Sequence, residues 1–182
     1  MNYDKQSGED YAIFDKQMRQ KALEKLQLEI ELRQASAKQE FVLYYQPIVS
    51  LIDHKITEFE ALIRWQHPEK GLLLPDSFIA IAEQTGLIVS LGHWVIQEVC
   101  QQLQKWQKAY PNSANLKISI NLSYQQLCAQ HLVEQILTTL KQYQINPSCL
   151  KIEITESNLI ENVEVARAIL INLSNSHLEL CL

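Results

Sequence analysis

His54-Lys-Ile-Thr-Glu-Phe-Glu-Ala-Leu-Ile-Arg-Trp65 decides how the rest of this chain is read, and its second half, Glu60-Ala-Leu-Ile-Arg-Trp65, carries the chemistry. With a period of two, Phe59, Ala61, Ile63 and Trp65 point one way and Glu58, Glu60, Leu62 and Arg64 the other. This predicts a strand over 55–65 with one packing face and one face bearing two carboxylates and a guanidinium. Alternation alone leaves two readings open. The strand is either a half-solvated wall with nothing to do or one wall of a site. Its neighbours have to decide.

Upstream, Phe41-Val-Leu-Tyr-Tyr-Gln-Pro-Ile-Val49 is a second β run, and Pro47 places it at an edge, an end or a bulge. Before it, from Tyr11 to about Ala37, Phe14, Met18, Ala22, Leu26 and Ile30 recur four apart with Leu23 beside them. That predicts an amphipathic helix whose stripe needs a partner, either the following domain or a second copy. Residues 1–10 are polar and expected to be loose. Downstream, His67-Pro-Glu-Lys-Gly71 reads as a turn, and Pro75-Asp76 opens a helix to about Gln84 that ends at Gly86. A further helix covers roughly 90–109. Strands over 116–123, 150–155 and 178–182 then alternate with helices over 124–143 and 161–175, as right-handed βαβ units around a parallel sheet do.

The later strands share the pattern of the first. Leu116, Ile118, Ile120 and Leu122 oppose Lys117, Ser119, Asn121 and Ser123, while Leu150, Ile152 and Ile154 oppose Lys151, Glu153 and Thr155. Parallel strands covered on both faces are apolar on both. A polar face kept on each strand fits a barrel whose interior end is a site. Glu60, Asn121 and Glu153 then fall near the C-terminal strand ends, where barrels present their chemistry, with Gln46 at a comparable place. These are hard oxygen ligands suited to Mg²⁺ or Mn²⁺. Arg64 lies about 13 Å beyond Glu60 on an extended strand, able to hold a phosphate through two oxygens. Each residue also has a plainer reading. Asn121 could cap the helix at 124, Glu153 could pair with Lys117 or Lys151, Gln46 could bond backbone, and Glu58 could be a mere neighbour.

Composition narrows the classes. The chain has 182 residues, 47% hydrophobic and 20% charged, enough for one domain with a sizeable core. A net charge of −5 argues against a nucleic acid polymer held by bulk electrostatics. The four cysteines and five histidines show no zinc spacing. No apolar run approaches the ~20 residues of a membrane span, and no signal peptide opens the chain, so a cytoplasmic location with reduced thiols is expected.

Taken together, the blocks Tyr44-Tyr-Gln-Pro-Ile-Val49, Glu60-Ala-Leu62, Pro75-Asp-Ser-Phe-Ile79, Ala82-Glu-Gln-Thr-Gly-Leu-Ile88, Ile120-Asn-Leu-Ser123 and Glu153-Ile-Thr-Glu156 resemble the EAL-domain cyclic-di-GMP phosphodiesterases. The resemblance covers 40–182 and implies a TIM-like (β/α) barrel, incomplete over these residues, whose first strand runs against the others. It implies two divalent ions, Mg²⁺ or Mn²⁺, acting in the cleavage of cyclic-di-GMP to linear pGpG. By the same resemblance Glu60, Asn121 and Glu153 would be metal ligands, Arg64 would hold a substrate phosphate, Gln46 would lie near the ligand and Glu156 would steady the loop. Residues 1–38 resemble the linker helix that joins GGDEF to EAL domains, implying a GGDEF-type partner or a homo-oligomer through that helix.

The chain departs from the family pattern in places. Glu58 replaces a Gly common two places before the signature, and His177 a Gly common before the next strand. Leu178-Glu-Leu-Cys-Leu182 resembles the start of that strand, and the family's Asp-Asp motif and its later catalytic Lys and Glu have no counterpart in these residues. The expectation is an EAL-family domain inactive on its own over 1–182. The alternative is a degenerate module that binds cyclic-di-GMP or a protein without catalysis.

Overall fold

The computed structural model describes residues 16–110, 113–154, 170–176 and 178–181, and the statements below concern these. The expectations for residues 1–10, for the start of the helix over 161–175, for Glu156 and for His177 lie outside them.

Strands β1 (Phe41–Val49) and β2 (Ile56–His67) form an antiparallel hairpin, with Ser50 N donating to Lys55 O across the turn at 2.9 Å. A short strand β3 (Gly71–Leu73) folds back onto the end of β2, Trp65 opposite Leu73. Sequence reading has only a turn here, because three residues are too few for alternation to register. Strands β4 (Lys117–Asn121), β5 (Leu150–Glu153) and β6 (Glu179–Cys181) then add in parallel, giving the order β1-β2-β4-β5-β6. This is the TIM-like arrangement with a reversed first strand. Among the described residues it is an open sheet, with β1 as one edge. Pro47 therefore sits where a missing N–H costs no internal ladder bond.

Helices cover one face. Helix α1 (Lys16–Ala35) leads into β1; α2 (Ile79–Gln84) and α3 (Leu87–Ala109) cross from β3 to β4; α4 (Tyr124–Leu127) and α5 (Leu132–Tyr143) cross from β4 to β5. Gly86, at φ 75°, follows α2 and starts α3, a left-handed position that suits glycine. The single helix expected over 124–143 is two pieces. His131 adopts φ 63° directly before α5, which no α-helix can continue through, and neither Gly nor Pro marks the break. Ile96, Val99 and Leu103 of α3 and Ile136 and Leu140 of α5 pack on Ala61, Ile118, Ile120 and Ile152 as the main core. The sheet's apolar alternation is thus spent against these two helices.

A second cluster joins α1 to the end of β2 and corrects the expectation for that helix. The four-apart stripe is exposed, with Met18, Leu23, Leu26 and Ile30 all at about half of their full accessibility. Leu32 and Ala35 are the buried residues of α1, packed with Phe41, Trp65 and Phe78. Only the last turns reach the barrel, so the face that packs is set by where β1 begins rather than by the longest apolar stripe. Polar bonds fix the same junction. Trp65 Nε1 donates to Glu40 Oε2 at 2.9 Å, and Gln66 N to Glu40 O at 2.7 Å.

His67 is buried beneath it. Its Nδ1 accepts from the backbone N–H groups of Glu69 and Lys70, so the neutral ring carries its proton on Nε2 and donates to Glu31 Oε2 at 2.8 Å. Hydrogen bonds from Gln27, then from His67 and Lys70, hold the Glu31 carboxyl down from 4.5 to about 2, against a smaller opposing effect of burial. Because this pKa is depressed on folding, its stabilisation is complete above pH 4.5 and is lost as the pH falls toward 2. The melting-point gap between the wild type and Glu31→Gln is expected to close over that window. A gap constant with pH would show that the carboxylate does not hold α1.

Candidate metal and phosphate site

The register of the parallel strands brings the predicted residues together. Glu60 lies opposite Ser119, and Asn121 opposite Glu153, so the last residues of β4 and β5, Asn121 and Glu153, share one face with Glu60, which lies within β2. Asn121 Nδ2 donates to Glu60 Oε1 at 2.8 Å across 61 residues of sequence. Gln46 faces Glu60 across the β1–β2 hairpin and is exposed. Arg64 is further along the same face of β2. Its guanidinium carbon stands 5.6 Å from the centre of the Tyr44 ring, and Nη1 donates to Ile63 O at 2.9 Å. Stacking on an aromatic face restrains a guanidinium while leaving most of its donors outward.

The plainer readings divide. Asn121 does not cap the next helix. Ser123 does, in a capping box: its backbone N–H donates to Gln126 Oε1 at 2.8 Å and its hydroxyl accepts from Gln126 N. Leu122 N donates to Glu153 O at 3.0 Å, so the chain leaving β4 is pinned on both sides of the turn. Glu153 does have a cation near it, Lys151 Nζ at 3.7 Å, whereas Lys117 pairs with Glu179. Among the described residues no backbone bond from the Gln46 side chain is made. Glu58 is more than a neighbour. Its Oε1 accepts from Lys151 Nζ at 3.0 Å, and both side chains are about 15% exposed.

The sequence offered Lys151 as a partner for Glu153, which the structure bears out, but gave Glu58 and Ser119 no part in the site. Ser119 is fully buried in the row between Glu60 and Lys151, its hydroxyl without a partner among the described residues. The signal for Lys151 was present, since it sits two residues before Glu153 and so shares its face. The hydrogen bond that it donates to Glu58 raises the Lys151 pKa against the opposing effect of burial, so the ammonium stays charged at neutral pH.

A cleft of about 450 Å³ opens at the ends of β4 and β5, with Leu62, Ile79 and Val95 on its apolar walls and Asp76, Asn121 and Glu153 among its polar groups; Gln46, Glu60 and Arg64 do not line it. Apolar walls with a few convergent polar groups suit a flat organic ligand carrying a charged part. Among the described residues there is no cluster of three or more His, Cys, Asp or Glu able to hold a metal. The donor set is therefore two carboxylates and an amide. These oxygens fit Mg²⁺ or Mn²⁺ in kind, and water or further ligands would have to complete the coordination of either ion. No helix among the described residues is long and apolar enough to cross a membrane.

The EAL domain family model matches residues 29–182. The chain belongs to the EAL domain family. MucR of Pseudomonas aeruginosa, a bifunctional diguanylate cyclase/cyclic di-GMP phosphodiesterase, is 38% identical over 169 residues, 93% of this chain and 24% of MucR. PdeR of Escherichia coli, a cyclic di-GMP phosphodiesterase, is 37% identical over 160 residues, 88% of this chain and 24% of PdeR. The chain thus spans about a quarter of the length of these relatives. Solved EAL structures agree. The MucR phosphodiesterase in complex with c-di-GMP matches with a TM-score of 0.80 at 37% identity, over 85% of this chain and 62% of that one. The EAL enzyme Bd1971, in its cAMP- and cyclic-di-GMP-bound form, matches with a TM-score of 0.80 at 30% identity, over 88% of this chain and 44% of that one.

Proposed function

We propose that these residues form the metal- and phosphate-holding side of a cyclic-di-GMP phosphodiesterase domain. The observation that carries this reading is the Asn121–Glu60 hydrogen bond, which joins the end of β4 to β2 in an EAL domain, with Glu153 beside Asn121. Glu60, Asn121 and Glu153 would hold Mg²⁺ or Mn²⁺. Such ions, when bound, stabilise negative charge on a phosphodiester and make a water more acidic. Arg64, restrained over Tyr44, turns its remaining donors to a phosphate of the nucleotide. Gln46 reaches the same ligand from β1. The apolar walls of the cleft exclude water from one side of the ligand.

On this reading residues 1–182 alone bind cyclic-di-GMP but do not hydrolyse it, because two carboxylates and an amide do not complete two ion sites. Incubating purified 1–182 with cyclic-di-GMP and Mn²⁺ is expected to yield no pGpG by chromatography, while calorimetry detects binding that weakens at least ~10-fold in Arg64→Ala. Turnover that vanishes in Glu60→Ala would overturn the inactivity. Absence of binding at millimolar ligand would remove the nucleotide site.

A further inference from the structure

The polar face below the strand ends carries the carboxylates of Glu58, Glu60 and Glu153 and the ammonium of Lys151. Lys151 rises from β5 and reaches across β4 to Glu58 of β2, 93 residues away in sequence. The row it crosses holds Ser119, whose short side chain leaves room for the lysine stem. Its ammonium is 3.0 Å from Glu58 and 3.7 Å from Glu153. The hydrogen bond therefore goes to the acid that is set back from the strand ends, while Glu153 holds the longer ion pair with the same ammonium.

We infer that Glu58 is a positioning residue that draws Lys151 away from Glu153 and so leaves Glu153 available to a divalent ion. This rests on the reading that Glu60, Asn121 and Glu153 hold such an ion. An ammonium in a half-buried site seeks a carboxylate, and with Glu58 neutral the nearest remaining one is Glu153. Lys151 would then sit where the ion belongs, and its charge would repel the ion directly.

The test is Mn²⁺ binding to the full 1–182 chain, followed by the electron paramagnetic resonance of free Mn²⁺. Glu58→Gln is isosteric and is expected to weaken binding by about tenfold. Lys151→Met is expected to tighten it, and Glu58→Gln/Lys151→Met to return it to the wild-type affinity or better. Loss of packing alone would weaken binding in both single variants, so the opposite signs separate positioning from structure. Equal binding by the wild type and Glu58→Gln would overturn the inference while leaving the metal site intact. Wild-type binding that is absent, or that survives Glu60→Gln unchanged, would remove the metal reading and this inference with it.

Discussion

Trp65→Ala is expected to remove about 3–5 kcal/mol from the stability of the chain, the cost of deleting a large core aromatic. Trp65 is fully buried at the end of β2, with ring centres 5.9 Å from Phe41, 5.8 Å from Phe78 and 4.9 Å from His67. Its indole N–H is also the partner of Glu40 at the junction between α1 and β1, so truncation strands a carboxylate as well as opening a cavity. A domain of this size has about 5–15 kcal/mol in total, so the variant is expected to lose much of its cooperative transition. Urea unfolding followed by circular dichroism measures this, and an unchanged midpoint would show that the second cluster is not a core. Trp65→Phe is expected to be milder, losing the Glu40 bond but keeping most of the packing.

Gly92→Ala is expected to cost about 1–3 kcal/mol by overpacking, although alanine is the better helix former. A Cβ at Gly92 would lie 2.0 Å from Gln126 Nε2. Gln126 cannot simply swing aside. Its Nε2 donates to Ile88 O at 3.1 Å, its Oε1 accepts from Ser123 N, and the side chain is buried. Displacing it opens the capping box directly after Asn121, so Mn²⁺ affinity is expected to fall along with the melting temperature. The control is non-additivity. In Gln126→Ala the side-chain bonds to Ser123 N and Ile88 O are already gone, and adding Gly92→Ala to it is expected to cost little. Full additivity of the two changes would mean that the contact is not the cause.

The parts of this fold legible in the sequence were those with repeated local signals. Alternation in 55–65, 116–123 and 150–155 located β2, β4 and β5, and the polar member near each C-terminal end picked out Glu60, Asn121 and Glu153. Pro47 marked an edge, an end or a bulge, and the topology makes β1 an edge. What escaped depended on contacts between distant segments or on very short elements. The packed face of α1 is Leu32 and Ala35 rather than the longer stripe, because tertiary position selects which turns reach the core. The break before α5 rests on one left-handed histidine, and β3 is a three-residue strand. The Glu58–Lys151 pair could not be read at all without register, since its partners lie on strands separated by β4.

The mixed direction of the sheet has a kinetic consequence. The β1–β2 hairpin closes over a short turn, whereas joining Glu60 to Asn121 requires closing the 61-residue separation that contains α2 and α3. Local hairpins form in microseconds, and pairings of high sequence separation wait for the larger entropy loss of loop closure. The hairpin already carries Gln46, Glu60 and Arg64, but their parallel partners arrive last. During synthesis the hairpin bearing Arg64, the proposed phosphate-holding residue, therefore forms before the residues that would complete an ion site are joined to it.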